Sequence, residues 1–396
     1  MRGIVVAAAW FALAATASAQ DQQIGPRDMS MGGGGTSFQD EPVSLWLNPA
    51  GIATQTDQLS TSFQTFTGYP IERKSASGGG IDFSADPKTS LPEPPFLPTF
   101  LAVLFQIGDP DDQMALAVGL IRPYHLEYGM TQLISACPSV LTPSHEFLQT
   151  FARLRLGFAK NFRFRPEDKP GWFPELAVGA GVDVGWTDYT LTDRTTDSET
   201  GETGFAPGAG VGILLGVYDD GESFRVNIGA AYQTGLYFDL GTDRNLIPYF
   251  DMPQQFNAGV AVYLLKGTPL RFTFDVQFVG WEATAQDPVF PGQPRFEDAV
   301  NISVGAEYRI DLSEKLLLHL RAGYRRFQPP WEDKNDLPSS GTFKLVMEAG
   351  DEIFDIFTFG AGISWTRSSG KLGTVDVAAA FGGDSPNFAL GYNHEF

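Results

Sequence analysis

The strongest constraint on this chain is an alternation of period two that returns along most of its length. Within residues 270–278, Leu270, Phe272, Phe274, Val276 and Phe278 fall on one side, and Arg271, Thr273, Asp275 and Gln277 on the other. Successive side chains of a strand point to opposite faces, which a helix cannot reproduce, so the segment reads as a strand. Residues 300–310 repeat the pattern, with Asn301, Ser303, Glu307 and Arg309 on the polar side, and so do residues 224–232, with Arg225 and Asn227. About fourteen such segments follow one another, near residues 59–69, 98–107, 113–123, 147–163, 173–190, 206–218, 222–234, 254–265, 268–282, 298–310, 315–327, 354–366, 373–382 and 386–396. Most have the ~9–11 residues of a tilted membrane strand. An even number suits a closed barrel with both termini on one side.

The connections alternate in length, as they do in outer-membrane barrels with short periplasmic turns and long outer loops. Short links fall at 108–112, 219–221, 266–267, 311–314 and 367–372, and long ones at 70–97, 124–146, 191–205, 235–253, 283–297 and 328–353. The segments 164–172 and 383–385 break this alternation. Trp172, Trp186, Tyr189, Trp281 and Trp365 stand near strand ends, where membrane barrels carry aromatic girdles. The last segment, with Phe388, Leu390, Tyr392, His394 and Phe396 in phase, resembles the terminal signal of inserted barrels. A soluble sandwich also alternates, but it explains neither the loop lengths nor the girdle. The expected fold is therefore an all-β transmembrane antiparallel barrel of about fourteen strands.

Residues 1–19 carry Arg2, an apolar run from Ile4 to Ala15 and the small-x-small ending Ala17-Ser18-Ala19, and read as a signal peptide. That run is shorter than the ~20 residues a membrane helix needs, and no later segment supplies such a run. A net charge of -20 argues against nucleic acid as a partner, because phosphate binding rewards Lys and Arg. The single Cys137 cannot form an internal disulfide, and His125, His145, His319 and His394 lack metal-ligand spacing. The glycines of 31–36 neither follow a strand nor open a βαβ unit, so they do not read as a phosphate loop. No catalytic set, metal site or cofactor is expected, and the chain does not read as an enzyme.

One stretch does not alternate. Residues 31–53, MGGGGTSFQDEPVSLWLNPAGIA, turn too often for sheet or long helix. Barrels of about eight strands are filled by their own side chains, whereas those of 16–18 enclose an aqueous channel. A lumen of intermediate width needs an occupant, and residues 20–58 are the segment available. The chain thus divides into a leader (1–19), a hatch that plugs the lumen (20–58) and a barrel (59–396).

Residues 40–53 (DEPVSLWLNPAGIA) resemble the hatch motif of the FadL family of outer-membrane long-chain fatty acid and hydrocarbon transporters. Residues 147–189 resemble the family's fourth and fifth strands. The block 251–281, with DMPQQFNAGVAVY and FDVQFVGW, is similar to a characteristic family block, as is 296–330, with FEDAVNISVGAEY, LRAGY and Pro329-Pro330. Phe296 stands where the family has Trp, and the segment with Cys137 and Pro138 matches nothing residue by residue. The NPAG motif also occurs in PorV-like barrels, so the alternative is a structural or secretion-associated barrel that binds protein partners.

The resemblance implies passive uptake of a fatty acid or other hydrophobic molecule, with sideways exit at a kinked third strand. Gly119 and Pro123 lie there, although Pro123 also reads as a simple strand end. Within the hatch the gating candidates are Asn48, Pro49, Ala50 and Gly51. Parity turns Arg153, Arg155, Arg225, Arg271, Arg309 and Arg321 inward, as anchors for a ligand carboxylate or as partners of Asp183, Asp275 and Glu307. The connection 124–141 is apolar, and Leu126, Tyr128, Met130, Leu133 and Ile134 read as a capture surface, a lipid contact or a cover over the barrel mouth. Acidic residues 193–202 read as a cation bridge to lipopolysaccharide or as a solvated loop. A monomer in outer-membrane lipid, with both termini periplasmic, completes the expectation.

Overall fold

The computed structural model describes residues 23–38, 40–65, 71–73, 81–87, 97–108, 113–123, 125–134, 144–164, 170–193, 197–240, 251–265, 269–284, 297–328, 347–349, 353–382 and 386–396. In chain order the strands are β1 (Gln58–Gln64), β2 (Ile71–Arg73), β3 (Ile81–Pro87), β4 (Phe100–Ile107), β5 (Met114–Ile121), β6 (His125–Ile134), β7 (Ser144–Arg163), β8 (Gly171–Trp172), β9 (Glu175–Asp193) and β10 (Ser198–Asp219). They continue with β11 (Phe224–Gln233), β12 (Gln254–Leu264), β13 (Leu270–Gly280), β14 (Ala299–Ser313), β15 (Leu316–Phe327), β16 (Met347–Ala349), β17 (Phe354–Thr366), β18 (Leu372–Phe381) and β19 (Asn387–Glu395). A closed 14-strand antiparallel barrel results, with β6 prolonging the stave begun by β5. It closes where β1 pairs with β19, from Gln58↔Glu395 to Gln64↔Ala389.

The wall is apolar outside and polar inside, the reverse of a soluble protein. On β13, Phe272 and Phe274 are 40% and 47% exposed, while Arg271, Thr273 and Asp275 are buried. On β7, Leu154, Leu156 and Phe158 face outward and Arg153 and Arg155 are buried. A charged side chain on the lipid face costs about 2–4 kcal/mol at the bilayer midplane, so parity alone drives the arginines into the lumen. This is a transmembrane barrel.

A tight link joins β10 to β11. There the exposed carboxylate of Asp220 accepts backbone N–H groups from Phe224, Glu222 and Ser223 at 2.8, 2.9 and 2.7 Å. Those bonds hold it well below the ordinary carboxylate range.

Three details differ from the alternation as read. The connection expected at 124–146 contains a strand: β6 pairs with β7 and with β3, so the third stave continues past Pro123 instead of ending there. Leu126, Tyr128, Met130, Leu133 and Ile134 lie on this strand, and their side chains are outside the described residues. Secondly, β9 and β10 stay paired out to Asp193↔Ser198, well into the expected loop. Beyond the apolar band both faces meet water, so the sequence there loses its alternation without losing its ladder. Thirdly, Tyr189 is no girdle residue. It shares the parity of Asp183 and Thr187 and is buried in the lumen, whereas Trp172 is exposed and Trp365 stacks on Tyr392 at the barrel exterior.

Candidate functional site

The hatch occupies the lumen as three short turns: a helix Gly25–Ser30, a helix Ser44–Leu47 and a 3-10 helix Pro49–Thr54. Pro49 opens the last turn, where a missing N–H is harmless, and Asn48 caps it by accepting Ala50 N–H at 3.1 Å. The same Asn48 amide donates to Thr36 O within the hatch and to Ile213 O on β10, both at 2.8 Å. One side chain therefore folds the hatch and ties it to the wall. Asn48→Ala leaves two buried carbonyls without these donors, at about 1–3 kcal/mol for each group left unmet. The expected result is a heat-modifiable, correctly inserted barrel whose hatch amides exchange faster; unchanged exchange protection counts against the tie.

The wall is shaped to receive this segment. Gly212 on β10 and Gly179 on β9 pair across the ladder beside Asn48 and Pro49. A Cβ on Gly179 would stand 2.5 Å from Pro49 O and from Ala50 N, both backbone atoms that cannot rotate away. Gly229 gives way to Thr36 O and Gly323 to Gly32 in the same manner, so the seat follows the ring of staves.

Two charge clusters complete the seat. In the first, Arg27 of the hatch reaches Asp40 at 3.1 Å, Glu41 at 3.5 Å and Glu307 of β14 at 3.1 Å. Arg271 also binds Asp40, and Arg321 bridges Glu307 at 2.6 Å and Asp376 at 2.5 Å. In the second, Arg153 and Arg155 share Asp183, with Nε contacts of 2.9 and 2.5 Å. Arg155 also donates to Leu45 O at 2.9 Å and lies 4.4 Å from the Trp46 ring centroid. Arg225 pairs with Glu175, and Arg309 stands 3.9 Å from Asp311 at the end of its own strand. All six arginines singled out by parity thus have a carboxylate of the protein beside them. Asp275, expected as an arginine partner, instead accepts the Thr36 N–H at 2.9 Å.

Burial pushes the Glu41 carboxyl up to about 7, although Arg27 opposes it; Asp376 and Glu307 add to the rise, and Arg321 offsets part of it. Desolvation also acts on Asp40, but Arg271 and Arg27 outweigh it and hold that group down to about 2. A raised carboxyl binds a proton more tightly in the docked state. Glu41's contribution to docking is therefore fully present below pH 4.5, its ordinary value, and is lost as the pH rises through about 7. Asp40 acts in the opposite sense, and its contribution is lost only as the pH falls from 3.8 toward about 2. Protease cleavage within the hatch should increase from pH 5 to pH 8, and Glu41→Gln should flatten the profile. A flat profile in the unmodified protein contradicts this assignment.

Below the hatch, a cavity of about 270 Å³ is lined by Arg27, Asp40, Glu41, Arg271, His319 and Arg321 among others. Gln58, Leu372 and Glu395 also line it, which places it at the end of the barrel carrying the first and last residues of the wall. The opposite character appears beside β4 and β5. Phe100, Ala102, Leu104, Ala115, Ala117 and Ile121 face inward and pack on Leu45, Leu47 and Ile52 of the hatch. A Cβ on Gly119 would stand 2.8 Å from Leu45 Cδ2, so hatch and third stave touch directly. Just past this apolar sector the ladder changes register, from Ile121↔Arg153 to His125↔Thr150, one residue more on the third stave than on β7. Pro123, which has no N–H to give, sits in that bulge.

No protein-family model matches the sequence, and no curated relative matches it. Solved structures do. The Ralstonia pickettii toluene transporter TbuX superposes with a TM-score of 0.56 at 16% identity, over 95% of this chain and 99% of that one. A Pseudomonas aeruginosa FadL homologue gives 0.55 at 11%, over 96% and 98%. The chain has the FadL-type fold. The Pseudomonas putida toluene transporter TodX shares it, with a TM-score of 0.54 at 13% identity over 96% of this chain and 100% of that one. Within the FadL-type barrel, the sequence reading placed the arginines inward by parity and singled out Asn48 by the resemblance of residues 40–53 to the hatch motif. It missed Arg27, Asp40 and Trp46 as the hatch's contacts with them, and it missed the glycine seat. A signal for the seat exists: Gly179, Gly181 and Gly185 on β9 and Gly204, Gly208, Gly210 and Gly212 on β10 all share the lumen parity.

Proposed function

We propose that this protein is an outer-membrane channel for passive uptake of hydrophobic small molecules, fatty acids or hydrocarbons, that leave sideways through the third stave. The single observation that carries the reading is the coincidence of an apolar inner sector, the hatch residue Leu45 and a register break at Pro123. An apolar molecule gains by staying on that surface and loses by entering the charged cavity beneath the hatch. The hatch, residues 20–58 after a leader of 19, closes the axial route, with Asn48, Pro49, Ala50 and Gly51 holding it and Gly119 lining the exit. The arginines hold the lumen together around it, and a ligand carboxylate competes for them when it arrives. Apolar residues of β6 form the capture surface. The protein works as a monomer surrounded by lipid and lipopolysaccharide, with both termini on the periplasmic side.

Deleting Pro123 makes the two registers of the third stave continuous. In proteoliposomes, the parent should take up radiolabelled oleate or toluene faster than protein-free vesicles do. The deletion variant should fall toward the protein-free rate while remaining a folded barrel. Equal uptake by both proteins sinks the sideways exit, and no uptake by the parent sinks the transport reading itself.

A further inference from the structure

After Gln233 the chain leaves β11 and runs inside the barrel instead of over its rim. Thr234 is still tied to β10, its N–H donating to Ala209 O at 2.9 Å and its hydroxyl accepting Ala209 N–H at 2.9 Å. From there residues 235–240 form an extended strap laid against the inner wall. Leu236, Phe238 and Leu240 are buried, while Tyr237 and Asp239 on the other face are exposed. Leu236 exchanges backbone bonds of 2.9 and 3.0 Å with Met252, and Phe238 N–H donates to Asp251 Oδ1 at 2.8 Å.

The wall under the strap is hollowed for it. A Cβ on Gly208 would lie 2.6 Å from Leu236 Cδ2, and one on Gly204 2.7 Å from Leu240 Cδ2, while Leu236 also fills the space over Gly185. The Phe151 ring lies 5.9 Å from that of Phe238. Behind the strap the β9–β10 ladder is complete, so lifting the strap breaks no wall pairing. At its hatch end the groove meets Arg153, whose Nη2 donates to Thr234 O at 3.4 Å and whose guanidinium lies 5.8 Å from the Trp46 ring. The Trp46 indole N–H there is fully buried and has no acceptor among the described residues.

We infer that Leu236, Phe238 and Leu240 occupy an apolar binding groove on the lumen wall, and that hydrophobic cargo binds in their place with one terminal oxygen toward Trp46 and Arg153. This inference rests on the transport reading above. The present occupants define the ligand class: an alkyl chain or single ring fills the space of alternating Leu and Phe side chains, and an unmet N–H beside a guanidinium takes one acceptor group. Displacing the strap lowers apparent affinity by the fraction of molecules in which it has lifted, and truncating it removes that loss.

Locking the strap tests this. An ideal Cβ on Gly204 lies 3.2 Å from Phe238 Cβ, just under the ~3.5–4.5 Å span of a disulfide. In a Cys137→Ser background, the Gly204→Cys/Phe238→Cys pair should lose uptake of benzoate and laurate when oxidised and regain it on reduction. Equal uptake in both redox states overturns the groove while leaving transport intact. Should the pair fail to fold, or the parent move neither probe, laurate binding in detergent judges the groove alone. Phe238→Ala should then bind laurate about fivefold more tightly than the parent. Phe327→Ala, an equal truncation elsewhere in the barrel, should not. Laurate is too long for one phenyl-sized hole, so equal affinity in all three proteins overturns the inference.

Discussion

Gly179→Val is expected to insert as a normal barrel with its hatch unseated. The new side chain points into the lumen, where its Cβ would meet Pro49 O and Ala50 N at 2.5 Å. Ordinary overpacking costs about 1–3 kcal/mol because neighbouring side chains can move. Here the neighbours are backbone atoms of a hatch turn held by Asn48 on one side and by the Leu45 carbonyl on the other. The hatch must therefore shift as a body, and its other ties give way with it. Ion conductance in planar bilayers should rise above the parent's and proteases should reach residues 40–53, with heat-modifiable migration preserved. A silent, protease-resistant variant would show that the glycine seat is not what admits the hatch.

Arg27→Ala should have an effect of similar size by a different route. It removes the cation that joins Asp40, Glu41 and the fully buried Glu307; Arg271 still reaches Asp40 and Glu307 and Arg321 reaches Glu307, so Glu41 loses most. Breaking a buried pair from one side costs about 3–5 kcal/mol, because the remaining charge stays desolvated. Since each 1.4 kcal/mol is tenfold, the undocked population should grow by about two orders of magnitude or more. Hydrogen exchange across residues 23–38 reads this directly. Adding Glu307→Gln should recover part of the loss, since the cluster then sets one buried negative charge fewer against Arg271 and Arg321. No change in exchange for Arg27→Ala would mean that Arg271 alone satisfies the cluster.

Both predictions concern contacts that a reading of the strands does not contain. Leu154, Leu156 and Phe158 on one face and Arg153 and Arg155 on the other already separate lipid from lumen, because alternation is a property of the local backbone. The same parity says that Asp183, Asp275 and Glu307 face inward. It cannot say that Asp183 serves two arginines while Asp275 serves the Thr36 amide, since that depends on where the hatch comes to rest. Pro123 shows the same division. Loss of its N–H was legible, but whether the stave ends or bulges there depended on a partner, β7, that extends far enough to receive β6.

By itself the sequence determined that this chain closes into a barrel, which side chains meet lipid, and that a glycine-rich segment must fill the space within. Those follow from short-range periodicity, strand number and the cost of exposing charge to hydrocarbon. Only the tertiary structure decided which residues clasp the hatch, where the wall is hollow and where its ladder slips. Asp40 and Arg271 are 231 positions apart and meet only because fourteen staves close into a ring around a segment of one particular shape.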